Sequence, residues 1–454
     1  MARISFFCFY SLLFLYAFFY RISSSEFWPI TVSKSWFGVG GTLELSLLQK
    51  PLFSFILSTL HVFQIKDSSH VYLVKTVFSM FGLASIYFFS YFTSQLIKRH
   101  SQQEFSPHWL GLGLCLLSPV FLNNFFNIRT DQLAFLLLSM FFYFSINKKL
   151  YPSLACLILL LLSGLKEFPL ALPALYFFYK QFNLKLSKKL LFYSLALLLG
   201  ASVWVLGLNI SVLEYIRESY RNNPFPNPQL SAFLLSEGFL LVIALAVVIY
   251  NFYKKQVLFW SVQSVFFLIL LFINPQSYSF YIASLVPIIY VPLFIFIFKY
   301  WPSFRAKILL VTTVLFCVHT GLSYQQKKAL YESNQAQLKF IDLASDIVKK
   351  RRLLYLDGMG ILPKQRFNRC FVSPDDVAAN SNCIDQISTA RADVIIMTRR
   401  LTFLNQPGTD LFNSVKMNYE QIYPNFWVRR DQLDDVMRKK IDLSPDLPLP
   451  ILIF

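Results

Sequence analysis

The sequence is poor in charge and in glycine. Only 15% of its 454 residues are Asp, Glu, Lys or Arg, and glycine occurs 14 times. Soluble globular domains carry about 25% charged residues and about 7% glycine, so an ordinary water-exposed surface is excluded. Motifs for nucleotide or hydrolase chemistry are lacking too: there is no nucleophile elbow, no Walker loop and no zinc-binding helix. Gly38-Val39-Gly40-Gly41 follows no strand pattern and is no phosphate cradle. Four of the six cysteines, Cys8, Cys115, Cys156 and Cys317, lie inside apolar segments without the paired spacing of a metal site, and read as core residues.

What is there is apolar length. The chain is 56% hydrophobic, with 50 Phe and 24 Tyr, and a helix crossing a bilayer needs roughly 20 mostly apolar residues. Eleven apolar runs are visible, at residues 4–20, 71–97, 109–126, 132–146, 150–165, 168–179, 190–210, 233–250, 257–273, 280–298 and 308–322. They predict an α-helical polytopic membrane protein with about eleven transmembrane helices.

The net charge of +18 falls in short basic clusters between these runs and follows no groove-sized stripe, so it reads as membrane topology and not as nucleic-acid binding. With the N-terminus and Arg3 inside, Lys98/Arg99, Lys148/Lys149, Lys180 to Lys189, Lys254/Lys255 and Lys299/Arg305/Lys307 all fall on the cytoplasmic side, as the positive-inside rule requires. The C-terminus then lies outside. Runs 150–165 and 168–179 form a hairpin under the same rule, because basic residues flank the pair at both ends. Residues 21–26 offer no small-residue cleavage site, so the first run reads as a retained anchor. Of nine acidic residues before position 324, eight fall outside (Glu26, Glu44, Asp67, Asp131, Glu167, Glu214, Glu218 and Glu237), with Glu104 alone inside. Chemistry is therefore expected on the outer face.

Two parts lie there. Residues 21–70 form a long first loop within a transmembrane domain of residues 1–323, and its semi-apolar stretch 51–63, too short to span, reads as an interfacial helix. Residues 324–454 turn mixed polar, with strand-length apolar runs at 353–356 and 394–397 and a predicted helix over 376–391. They predict a small extracytoplasmic α/β domain. Its Cys370 and Cys383 read equally as a disulfide or as two buried thiols. The Pro-rich apolar tail 442–454 either docks on the domain or stays loose.

Among polar residues, Asn127-Ile128-Arg129-Thr130-Asp131 stands out at the outer end of an apolar helix pair. Ionisable groups at membrane depth are costly and mark cavities or partners by default; the plainer alternative is an interfacial pair that only orients the helix. Lys166 and Glu167 share that face by topology. In the first loop Glu26 and Glu44 are the carboxylates able to act as a general base for an acceptor hydroxyl, or else solvated loop residues. Lys50, before Pro51, meets a lipid-linked phosphate or an anionic headgroup.

Together these features resemble the GT-C superfamily, near its bacterial protein mannosyltransferase and aminoarabinose transferase relatives, over most of the chain at low identity. The relatives carry an Asp-Glu pair after the first helix, where this chain reads Ser25-Glu26-Phe27-Trp28. Their Tyr-Arg-Asp-Phe-Phe stretch leading to His-Pro-Pro-Leu or Lys-Pro-Pro-Leu is matched by Thr42-Leu43-Glu44-Leu45-Ser46 and Gln49-Lys50-Pro51-Leu52. Their Arg-Pro-Asp before a Leu-rich helix looks like Arg129-Thr130-Asp131-Gln132-Leu133, and their Gly-containing helix ending in Lys like Ser163-Gly164-Leu165-Lys166-Glu167.

The resemblance implies an inverting transfer of a sugar from a polyprenyl-phosphate donor to an envelope acceptor (lipopolysaccharide, another glycan or a protein) at the outer face of a bacterial inner membrane. It implies a catalytic carboxylate in the first loop and cations on the carrier phosphate. Glu26 is the first choice of base and Glu44 the second; Lys50, Arg129 and Lys166 are the phosphate ligands, supported by Asp131 and Glu167. Ser25 in place of the family Asp also leaves open a relative without activity. The first loop has no dense carboxylate cluster, so the expected transfer uses no cofactor or metal. The partners are membrane lipid, the sugar donor and the acceptor. Two rivals remain, a lipid-linked glycan transporter and a non-catalytic envelope assembly factor; the first predicts inverted repeats, and none is visible.

Overall fold

The computed structural model describes residues 30, 51–63, 65–101, 118, 121, 128–163, 168–182, 228–273, 286–300, 324–351, 355–357, 361–362, 365, 367–369, 385, 387, 389, 391–396, 410–423 and 426–434. The described chain is mostly helical, with one small sheet. It divides into two compact units. One comprises Met1–Ala17, Leu45–Phe53 and Val77–Ser323, the other Phe18–Glu44, Ser54–Thr76 and Tyr324–Phe454.

Helix α1 (Pro51–Leu60) continues the stretch predicted to lie at an interface, and Phe55, Val62, Phe63 and Ile65 in and after it are exposed while Phe53 and Leu57 are buried. Helix α2 (Asp67–Ser101) is the one described helix long and apolar enough to cross a membrane by itself. Asp67 in its first turn and Lys98, Arg99 and His100 in its last both complement the helix dipole. Shorter apolar helices follow: α3 (Thr130–Ile146), α4 (Leu150–Ser163), α5 (Phe168–Phe182), α6 (Pro228–Tyr253), α7 (Leu258–Ile273), α8 (Val286–Ile289) and α9 (Val291–Tyr300). The stretch read as a hairpin is two helices, α4 and α5, packed on each other and on α3. Runs 4–20, 190–210 and 308–322, and most of 109–126, lie outside the described residues.

Ring contacts hold the helical unit together. Phe92 of α2 stacks on Phe142 of α3 at 4.7 Å, Phe177 of α5 meets Phe142 edge-on at 5.4 Å, and Trp260 of α7 packs on Phe92 at 5.3 Å. Four helices thus meet in one aromatic cluster, each such pair adding about 0.5–1.5 kcal/mol beyond burial. Pro292 withholds the N–H that would bond Ile288, which accounts for the break between α8 and α9. Ser264 of α7 donates to the Ile289 carbonyl beside the break at 3.1 Å.

Helices α3 and α6 end in the same way. Lys149 N–H bonds Phe144 O at 2.9 Å and Lys148 N–H bonds Ser145 O at 3.0 Å; Gln256 N–H bonds Asn251 O at 2.9 Å and Lys255 N–H bonds Phe252 O at 3.1 Å. This is the Schellman pattern. It puts Lys148 (φ 55) and Lys255 (φ 52) in the left-handed region that glycine usually fills.

In the second unit, α10 (Tyr324–Arg351) precedes a five-stranded sheet of β1 (Tyr355–Asp357), β2 (Phe367–Arg369), β3 (Val394–Ile396), β4 (Tyr419–Tyr423) and β5 (Phe426–Arg429). Its order is β2-β1-β3-β5-β4, with β2, β1 and β3 parallel and β5 antiparallel to both of its neighbours, β3 and β4. Helix α11 (Asp410–Asn418) leads into β4. Val394, Ile395 and Ile396 are all buried, as a central strand covered on both faces should be. Ile341, Ala344 and Val348, one stripe of α10, pack into the core with Val394, Ile396 and Val428. The core also takes in Val71, from the start of α2. Most of the helix predicted over 376–391, and Cys370 and Cys383, lie outside the described residues.

Candidate functional site

The Arg129 to Asp131 motif sits at the start of α3. Arg129 has an extended backbone (φ −145, ψ 154) and ends the approach to the helix without capping it by its side chain. Instead its Nε donates to Asp131 Oδ2 at 3.1 Å, and the two side chains are 15% and 10% exposed. The same first turn continues the polar layer with buried Gln132. Gln132 donates its Nε2 to the Phe78 carbonyl of α2, and its buried Oε1 makes no hydrogen bond among the described residues. A part-buried cation, a carboxylate, an amide and the first N–H groups of a 17-residue helix therefore lie together at the start of α3. Helix starts of this kind receive anions through their backbone amides.

Glu237 forms a second constellation in the same unit. It is fully buried on α6 and accepts from Ser118 Oγ at 2.6 Å on Oε1 and from the Tyr290 hydroxyl at 2.8 Å on Oε2. Ser118 Oγ in turn accepts the Phe121 N–H at 3.0 Å. Tyr290 stands at the α8 to α9 break, where the chain is not continuously helical. Phe121 packs edge-on against Phe135 at 5.6 Å, and Phe135 lies one helical turn beyond Asp131 on α3. Contacts thus run without interruption from Glu237 to the helix that carries Asp131.

In the sheet-bearing unit, buried Asp67 accepts from Ser345 Oγ and, at 3.2 Å, from Gln365 Nε2. Asp342 of α10 caps the start of α2, taking Ser68 N–H at 3.2 Å and Ser68 Oγ at 2.7 Å. His70, fully buried, stacks on His61 with ring centroids 4.3 Å apart, and His61 Nε2 lies 2.7 Å from the Ile30 carbonyl. Among the described residues no group of three or more His, Cys, Asp or Glu is placed to hold a metal ion.

Of the residues singled out from sequence, Arg129 and Asp131 are brought together. Glu26, Glu44, Lys50, Lys166 and Glu167 lie outside the described residues. Glu237 and Asp67 were visible in the sequence only as acids near apolar runs. The one available signal for Glu237 was a carboxylate inside an apolar run, four residues beyond its start at 233. Ser118 and Tyr290 carried none. Compared with protein-family models, curated proteins and solved structures, the chain matches none of them.

Proposed function

We propose that the chain is a polytopic membrane glycosyltransferase of GT-C type, with about eleven spans. It moves a sugar from a polyprenyl-phosphate donor to an envelope acceptor at the outer face of the inner membrane, with its sheet-bearing domain in the periplasm. The observation that carries this reading is the part-buried Arg129–Asp131 pair at the start of α3. There a diester phosphate meets a guanidinium and helix amides, and charge-assisted bonds to it strengthen as the glycosidic bond breaks. Asp131 orients Arg129, and Gln132 Oε1 is a buried acceptor for a sugar hydroxyl. Glu26, or Glu44 in its place, takes the acceptor proton as the hydroxyl attacks the anomeric carbon from the face opposite the phosphate.

The membrane reading has its own support. Leu235, Phe239, Val242, Ile249 and Tyr253 form one stripe along α6 and are exposed by 88%, 80%, 67%, 67% and 79%. Such a stripe is unfavourable in water and ordinary against lipid. Tyr151, Tyr176, Tyr179 and Tyr300 are exposed as well, on three further helices and close in sequence to basic residues, the composition of an interfacial aromatic belt.

A second reading, a carrier of lipid-linked glycans, is favoured by Glu237, a fully buried carboxylate beside a helix break. One reconstitution separates the two. Purified protein in lipid vesicles receives a panel of radiolabelled undecaprenyl-phosphate sugars, with Glu26→Gln, Glu44→Gln, Arg129→Ala and Glu237→Gln beside the wild type. Transfer predicts label release or acceptor labelling, abolished by one of the two loop changes and lowered about 10²-fold by Arg129→Ala, with Glu237→Gln within a few-fold of wild type. Passage of intact donor across the bilayer, stopped by Glu237→Gln, would establish the carrier instead. Binding without turnover or passage in every form sinks both.

A further inference from the structure

The end of the helical unit opposite the start of α3 gathers basic residues from α2, α5 and α9. Arg99, in the last turn of α2, donates to the Ile146 carbonyl at the end of α3 and to Gln181 of α5, each at 3.1 Å. Lys299 of α9 donates to Gln256, beside Lys255, at 3.0 Å. Arg99, Lys180 and Lys299 all lie close enough to His100 for their charges to act on its ring. Three helices thus bring like charges together, and none of Arg99, Lys180 and Lys299 has a carboxylate partner among the described residues. Gathered cations without counter-charge repel one another. Lys148 and Lys255 add to the same collar from left-handed positions where glycine would be less strained, so positive charge is carried there against a backbone preference. The surface beside the collar is apolar: Tyr179, Tyr253 and Tyr300 are exposed next to Lys180, Lys254 and Lys299.

Cations, exposed tyrosines and an apolar flank in that order match a molecule with an anionic head and two acyl chains. We infer that Arg99, His100, Lys180 and Lys299 form a binding site for the phosphate of an anionic phospholipid in the cytoplasmic leaflet. The inference rests on the membrane reading above and is independent of glycosyl transfer. Arg99 is held in place by Ile146 and Gln181, so its fork is oriented before the lipid arrives. Lys180 and Lys299 supply point charges from the two neighbouring helices, and the acyl chains lie along the exposed apolar flank.

The test is native mass spectrometry of the protein released from vesicles containing phosphatidylglycerol and phosphatidylethanolamine in equal amounts. Wild type should retain phosphatidylglycerol in preference. Lys180→Gln/Lys299→Gln, which spares the Arg99 hydrogen bonds, should lower that retention about fivefold for each cation removed, and Lys180→Arg/Lys299→Arg should restore it. Lys339→Gln, an exposed lysine of the other unit, should leave it unchanged. Equal retention of the two lipids, no loss in the Gln variant, or displacement of the lipid by 10 mM inorganic phosphate would each overturn the site. Failure of the wild type to enter vesicles at all would instead overturn the membrane reading on which it rests.

Discussion

Tyr419 donates its hydroxyl to the Ala392 carbonyl at 2.8 Å from a fully buried position in the sheet-bearing unit. Burial pushes its phenol up to about 12, with the Asp393 and Asp431 carboxylates adding to the rise and Arg429 opposing it. A proton held more tightly by the folded form contributes stability that is present in full below the ordinary tyrosine value of about 10 and is lost as pH climbs through about 12. Thermal melts of the purified protein should therefore fall in midpoint between those values. Tyr419→Phe should remove the fall and lower stability at neutral pH by about 1–3 kcal/mol, because the Ala392 carbonyl is left buried without its donor. A midpoint that declines equally in the Phe variant would contradict this. At the same scale Glu237 differs from Asp131. Asp131 is paired with a cation two residues away, whereas Glu237 accepts from hydroxyls contributed from far along the chain, and for that reason local sequence reveals the first pair and not the second.

Among elements, α6 is the most direct test of what solvent surrounds the helices. Val242 lies within its stripe at 67% exposure. Val242→Lys places a charge near the middle of a 26-residue apolar helix, a cost of about 2.5–3.5 kcal/mol if lipid surrounds it and within about 0.5 kcal/mol if water does. The fraction of protein remaining in carbonate-washed membranes should drop clearly for this variant; an unchanged fraction would count against a lipid-facing α6. Helices such as α2, α3, α6 and α7 were legible because their apolar runs are long and uninterrupted. Two of the three interior strands, β1 and β3, were legible for the same reason over fewer residues. Strand β2 reads Phe367-Asn368-Arg369, three residues with no alternation to recognise, and it exists through its parallel pairing with β1. The polar helix α10 showed itself only as a change of composition, since just one stripe of it is apolar. Arg129 and Asp131 stood out because they interrupt an apolar context. The Asp67 and His61–His70 arrangements did not, because their partners Ser345, Gln365 and Ile30 are far away in sequence and carry no periodic signal.

For the whole molecule the division into two units does not follow chain order. Residues 54–76 belong to the same unit as 324–454, although α2, which starts among them at Asp67, continues into the other. Expressing residues 324–454 alone should therefore give a domain that lacks Val71 from its core and the Asp67 carboxylate that Ser345 and Gln365 reach. The lost burial of Val71 alone is worth about 1.5–3 kcal/mol, a large part of a small domain's stability. Circular dichroism should show a broad or absent melt for the fragment, and a covalent fusion of residues 54–76 should sharpen it. Identical melts for the two would show that the segment adds nothing.

The placement of Asp67 to Thr76 also sets a schedule for biosynthesis. These residues leave the ribosome on the order of 260 residues before the α10 and sheet residues that cover them, and at roughly 5–20 residues per second that gap lasts tens of seconds. During the interval Asp67 and Val71 have none of the partners contributed by residues beyond 324, so a newly made chain must keep this short segment from aggregation or proteolysis until its last third has been translated.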